Sequence, residues 1–98
     1  MWRQGDIFIA AVPSIPAEAT KELRPVLAEG EVTGHSHRIE QPSSVKLYRD
    51  NGNLYLAIVA DNATVVHEEH GPIGLPRGFY RVWRQREYSP EAIRIVRD

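Results

Sequence analysis

The chemistry legible in this sequence lies in four histidines held in two tight pairs, Gly34-His35-Ser36-His37 and His67-Glu68-Glu69-His70. Imidazole binds divalent metals through a deprotonated nitrogen and exchanges protons near neutral pH. His35 and His37 are two positions apart. On a strand, that spacing points both rings to one face, close enough to share an ion. Gly34 in front of them permits a bulge or a close backbone approach. His67 and His70 are three apart, so an unbroken strand would turn them to opposite faces. They meet on one ion only where the strand ends or bulges near Glu68-Glu69, and Gly71-Pro72 favours such an end. On a straight strand, His67 and Glu69 would share a face instead. The expected ligands are therefore His35, His37, His67 and His70. Glu69 is the substitute, and Glu40 is a further ligand or a group that orients a ring.

The chain has no cysteine. Any metal site must use imidazole and carboxylate, a donor set that suits zinc, nickel, iron or manganese without choosing among them. The H-E-E-H spacing is one residue short of the helical H-E-x-x-H, which removes that metalloprotease reading. Three readings stay open. The chain is a small β-domain with a His-lined divalent-metal site. It is a hydrolase, a phosphoesterase or ribonuclease using His35, His37, His67 and His70 with or without metal, with Lys46 or an arginine stabilising the transition state. Or it is a non-catalytic module that binds a protein partner encoded nearby. Ligation needs deprotonated rings, so metal affinity should fall as pH drops through roughly 6.5.

The elements that must position these residues read mostly as strands. Asp6 to Val12 is an apolar run closed by Pro13. Ala17 to Leu23 is a short helical turn or a loop, being under two turns long. Pro25 to Glu29 and Glu31 to Ile39 are strands, the second carrying the first His pair. Val45–Arg49 and Leu54–Val59 flank Asp50-Asn51-Gly52-Asn53, a hairpin signal. Asp61-Asn62 reads as a turn and Ala63–Glu68 as the strand bearing the second pair. Gly71-Pro72, Gly74 and Pro76 read as a loop, Phe79–Tyr88 as the longest strand, and Ser89-Pro90-Glu91 as a helix start or a single turn. The expected fold is all-β: one domain over residues 1–98, a small barrel or sandwich of about six to eight strands. Glu31, Arg38, Lys46 and Tyr48 join the site only where their strands adjoin the His pairs.

Composition bounds the rest. Apolar residues are 42% of 98 and charged residues 26%, which is globular rather than disordered. A core this small gains from a bound metal or a homodimer. The apolar run Ile7–Val12 is too short for a membrane span or a secretion signal, so the expected setting is the cytoplasm, without a membrane. Formal net charge is −1. Six arginines fall in residues 77–98 against Glu87, Glu91 and Asp98. On Phe79–Tyr88 they alternate with aromatics, and Arg81, Arg84 and Arg86 are candidate anion contacts. Nucleic acid is the partner such a strand would suit, though a solvated strand with a buried aromatic face is the favoured reading.

Three resemblances follow from these motifs. Gly30 to Glu40, with His35, His37 and Glu40, resembles the first cupin motif, which implies a metal held inside a small β-barrel. Pro76-Arg77-Gly78 resembles the start of the second cupin motif, but Phe79-Tyr80-Arg81 stand where its histidine would be. Nearly the whole chain resembles a family of small, uncharacterised bacterial and phage proteins. The matching segments are Gln4-Gly5-Asp6, Leu27 to His37, Val66 to His70 and Leu75 to Tyr88; that resemblance implies no activity. Gly5 to Ile9 with Arg24 to Leu27 resembles the opening of toxin endoribonucleases built on small SH3-like barrels.

Overall fold

Period-two burial dominates the chain, and the expected all-β architecture is what forms. The computed structural model describes residues 1–24, 26–29 and 35–85. Gly34, Glu31, Arg86 and the Ser89-Pro90-Glu91 stretch lie outside these residues. Eight strands form one antiparallel sheet: β1 (Trp2–Gln4), β2 (Ile7–Val12), β3 (Thr20–Glu22), β4 (Val26–Glu29), β5 (Ser36–Ile39), β6 (Val45–Asp50), β7 (Asn53–Val66) and β8 (Ile73–Arg84). The strand order is β1-β2-β8-β7-β5-β4, with β6 also on β7 and β3 on β6. A 3-10 turn covers Pro42–Ser44. Among the described residues no helix is long and apolar enough to cross a membrane.

The β6–β7 hairpin forms where Asn51-Gly52 allows it. Both residues take positive φ, 49° and 81°, as a primed two-residue turn requires. Three expectations are corrected. Ala17–Leu23 includes the short strand β3 rather than a helical turn. Asp61-Asn62 is no turn, because β7 runs through it with a register shift between Ile58 and Asn62. The Gly74-Pro76 stretch is no loop, because it belongs to β8. Pro76 is tolerated because β2 pairs only with residues 79–84 of β8. Among the described residues no strand pairs with that side of β8 at Pro76, and proline is tolerated at such edge positions.

The shift inside β7 has a structural purpose. Leu54, Leu56 and Ile58 face the core before it, and Ala63 and Val65 face the core after it. The inward parity changes, and the long hairpin keeps its apolar side inward while its two halves serve different neighbours. The first half of β7 pairs with β6, the second with β5. The sheet therefore curls. Leu27 and Ala28 of β4 line the same cleft, of about 200 Å³, as Ile7 of β2 and Val82 of β8. Ile7, Ile9, Leu56, Val65 and Leu75 are wholly enclosed, each contributing about 1.5–3 kcal/mol of burial.

Candidate functional site

The site lies where the curled sheet brings the β1–β2 hairpin against β5 and the β7–β8 loop. Gln4 and Ile7 are paired, so Gly5-Asp6 is a two-residue turn. Gly5 takes φ 59°, the glycine position of a type II′ hairpin. The Gln85 N–H donates to the Asp6 carbonyl at 3.0 Å and holds the turn on the end of β8. Gln4 and His37 both occupy core-facing positions, 2% and 4% exposed.

Those two side chains bond each other, and the geometry sets the tautomer. Gln4 Nε2 donates to the Val65 carbonyl at 3.1 Å and the Gly71 carbonyl at 2.8 Å. Carbonyls only accept, so the amide nitrogen must face them and Oε1 must face His37. Oε1 lies 2.8 Å from His37 Nδ1, which is therefore the N–H of the ring. In neutral imidazole the lone pair is then on Nε2, and Nε2 points at Asp6 Oδ1 across 3.2 Å. Two acceptors at that distance need a cation between them: a proton or a metal. Burial is the largest influence on His37 and pushes its pKa below the ordinary imidazole value. The charge on His67 adds to this, while the hydrogen bond to Asp6 opposes it.

The four rings gather around this point. His67 lies 4.3 Å from His37, 4.7 Å from His70 and 5.6 Å from His35, centroid to centroid. His70 stacks at 6.1 Å from His37. The second pair reaches one side because β7 ends at Val66, before His67. His70 also lies flat on Gly5. A Cβ at that position would come within 2.6 Å of its Nε2, so glycine serves both the turn and the ring.

Carboxylates tie the loop down. Glu68 Oε1 accepts from the Ser36 N–H at 2.9 Å, and Oε2 accepts from Arg38 Nη1 at 2.8 Å. The Ser36 N–H, its own backbone N–H, Arg38 and His35 bring its pKa down to about 2. Glu69 Oε1 lies 3.3 Å from His35 Nδ1, and its backbone N–H donates to His67 Nδ1 at 3.0 Å. His67 thus spends a lone pair on that bond and would have to release it to ligate through Nδ1. Ligand atoms of His35, His67 and Glu68 all fall within 4.8 Å of one another.

Of the residues singled out from sequence, the structure brings His35, His37, His67, His70 and Glu69 together. Glu40 is apart from them, its carboxylate accepting from Gln41 at 3.2 Å. Lys46 and Tyr48 lie on the outer side of the sheet, whereas Arg38 adjoins the site through Glu68. Arg81 and Arg84 do not form one anion contact, because alternation along β8 sends them to opposite faces. Arg84 Nε lies 3.7 Å from Asp6 Oδ2, so Asp6 stands between Arg84 and His37. Sequence reasoning missed Gln4, Asp6 and Glu68 as parts of this arrangement. The available signal was Gln4-Gly5-Asp6, a glycine between two polar residues directly before an apolar strand. No curated protein and no solved structure matches this chain. A family model matches residues 3–85, a span that holds the described strands apart from Trp2 at the start of β1 and all the side chains of the site above, and the chain belongs to that family, a domain of unknown function, DUF8820.

Proposed function

We propose that this is a cytoplasmic β-domain that binds a divalent metal ion through His37 and its neighbouring imidazoles. One observation carries the reading. His37 Nε2 faces the Asp6 carboxylate at 3.2 Å while Gln4 reserves Nδ1 as the donor. A proton or a metal satisfies both groups, and the imidazoles of His67 and His70 beside this ring, 4.3 and 6.1 Å away centroid to centroid, favour the metal. Ligands at about 2.1 Å in a tetrahedral shell lie about 3.3–3.4 Å apart, close to the separation observed. The donor set fits the group: imidazole and carboxylate, no thiolate, as zinc, nickel, iron or manganese accept. Among the described residues the ligand atoms that already lie within 4.8 Å of one another are those of His35, His67 and Glu68, so His37 would share an ion with them, and with His70 or Glu69, only after side chains shift on binding. Gln4 would hold the first ring in place, as outer partners of metal-bound histidines do.

The test is elemental analysis of protein purified without an affinity tag, followed by calorimetric titration with zinc, nickel and manganese. Stoichiometric binding that His37→Ala abolishes is the expected result. Asp6→Asn separates metal from proton. Its amide can donate to Nε2, so the apo-protein should be as stable as before or more so, while metal affinity falls at least about tenfold. No bound metal, or unchanged affinity in His37→Ala, would refute the proposal. A hydrolytic role needs one position open to substrate. The exposure of His70 and Glu69 favours that reading, and turnover assays on phosphodiesters with the metal-loaded protein decide it.

A further inference from the structure

The outer face of the sheet, on the side away from the core, carries a second and independent pattern. Register places Arg3, Phe8 and Trp83 opposite one another across β1, β2 and β8. The next row holds Arg81, Tyr55, Tyr48 and Lys21, directly opposite across β8, β7, β6 and β3. Phe79, 43% exposed, begins a third row that reaches Lys46 on β6. Rings and cations thus alternate over a continuous surface built on rigid strands. Asp50, at the end of β6, is the acidic residue of these rows. The whole chain, by contrast, has a formal net charge of −1, so positive charge is concentrated here.

The cations are positioned rather than loose. Phe8 and Trp83 lie nearly parallel at 5.7 Å and 19°. The Arg3 guanidinium lies over Phe8 at 5.3 Å and that of Arg81 over Trp83 at 5.5 Å. Arg3 Nε donates to the Gly5 carbonyl and Arg81 Nη2 to Asn53 Oδ1. These acceptors are neutral, so they orient the guanidiniums without cancelling their charge. In the second row, Arg81 and Lys21 stand about 14 Å apart, three strand spacings of about 4.8 Å, with two tyrosines between them.

We propose that this face binds single-stranded nucleic acid. A single strand offers the matching chemistry, with phosphates for Arg3, Arg81, Lys21 and Lys46, and flat bases for the rings between them. Aromatic platforms beside fixed cations recognise unpaired bases with little sequence preference. A duplex hides its bases, and its stiff backbone cannot lay them on a sheet. The assignment is independent of the metal reading, because the histidine site lies at the end of the core and shares none of these side chains.

The experiment is fluorescence anisotropy of a labelled homopyrimidine strand of about 16 nucleotides, titrated with the full chain with and without chelator. Three or four phosphate contacts predict an affinity loss of about 20- to 50-fold between about 50 and 200 mM salt. Arg81→Gln should reduce the salt slope by about 0.7. Phe8→Leu should weaken binding about tenfold and leave the slope unchanged. Circular dichroism checks that both variants are folded. Chelator should change nothing. The proposal is overturned by no binding at low salt, by equal or tighter binding of the matching duplex, or by Arg81→Gln binding as wild type. It is overturned equally by a stable dimer that Phe79→Asp dissociates, since that outcome assigns the face to self-association.

Discussion

Replacing Gln4 with leucine isolates the clasp that holds the site together. The side chain is 2% exposed and makes three hydrogen bonds, at 2.8, 2.8 and 3.1 Å. Leucine fills similar volume but leaves His37 Nδ1–H and the carbonyls of Val65 and Gly71 without that partner. Each buried group so orphaned costs about 1–3 kcal/mol. Gly71 O lies nearer the surface and can recruit water. Leucine also returns some apolar burial, so the net loss should be about 2–4 kcal/mol. A domain of this length has roughly 5–15 kcal/mol in all. With a urea slope of about 1–1.5 kcal/mol/M, the unfolding midpoint should drop by about 1.3–4 M at unchanged slope. The imidazole should also lose its fixed tautomer, visible as a change in its ring-nitrogen shifts by NMR. A midpoint within about 0.3 M of wild type, or an unaltered His37 tautomer, would refute the reasoning that Gln4 sets the ring.

Gly5→Ala should cost about 1–2 kcal/mol from the positive φ alone. Its Cβ should also push His70 off the turn, so calorimetry should record weaker metal binding in a folded variant. Gly52→Ala meets nothing within 4 Å, so thermal unfolding should show only the conformational cost of about 1 kcal/mol, with metal binding intact. Burial raises the Tyr80 pKa above 10. A raised folded pKa means stability fully present below pH 10 and lost as pH climbs through the folded value. Tyr80→Phe should therefore flatten the alkaline limb of a stability–pH curve. In metal-free protein His37 behaves oppositely. Its folded pKa is depressed, so its contribution is present above pH 6.5 and lost as pH falls through the folded value. A metal-free stability curve that is flat below pH 6.5 would contradict this.

Local signals were the ones legible in the sequence. Asn51-Gly52 announces its own turn, and the alternation in Leu54–Ile58 and Tyr80–Val82 reads directly as strand. The clustering of histidines within two short windows was visible for the same reason. What stayed hidden depends on pairing. Asp61-Asn62 has turn residues, yet the parity change there is absorbed as a shift within β7. Pro76 looks like a strand breaker until it is known that, among the described residues, β8 has no strand on one side there. Gln4, Asp6 and Glu68 are ordinary polar residues in sequence; only the curl of the sheet carries the first two to His37 and the last to Ser36 and Arg38. Arg81 and Arg84 illustrate the converse, since their spacing already separates the two faces.

The bonds from Gln4 to Val65 and Gly71 span 61 and 67 positions along the chain, and this bears on how the protein reaches its native state. Contacts so distant in sequence form slowly, because the intervening chain must first be ordered. The β6–β7 hairpin can close on its own. The β1–β2 hairpin has its turn early but nothing to dock on until β8 has been synthesised and paired. His37 therefore acquires its orientation only in the final docking event, and a partly folded chain presents loose imidazoles rather than an assembled pocket. On the proposed metal reading, selectivity among ions would be conferred at the end of folding, and the folding rate would set how long the histidines stay open to the wrong ion.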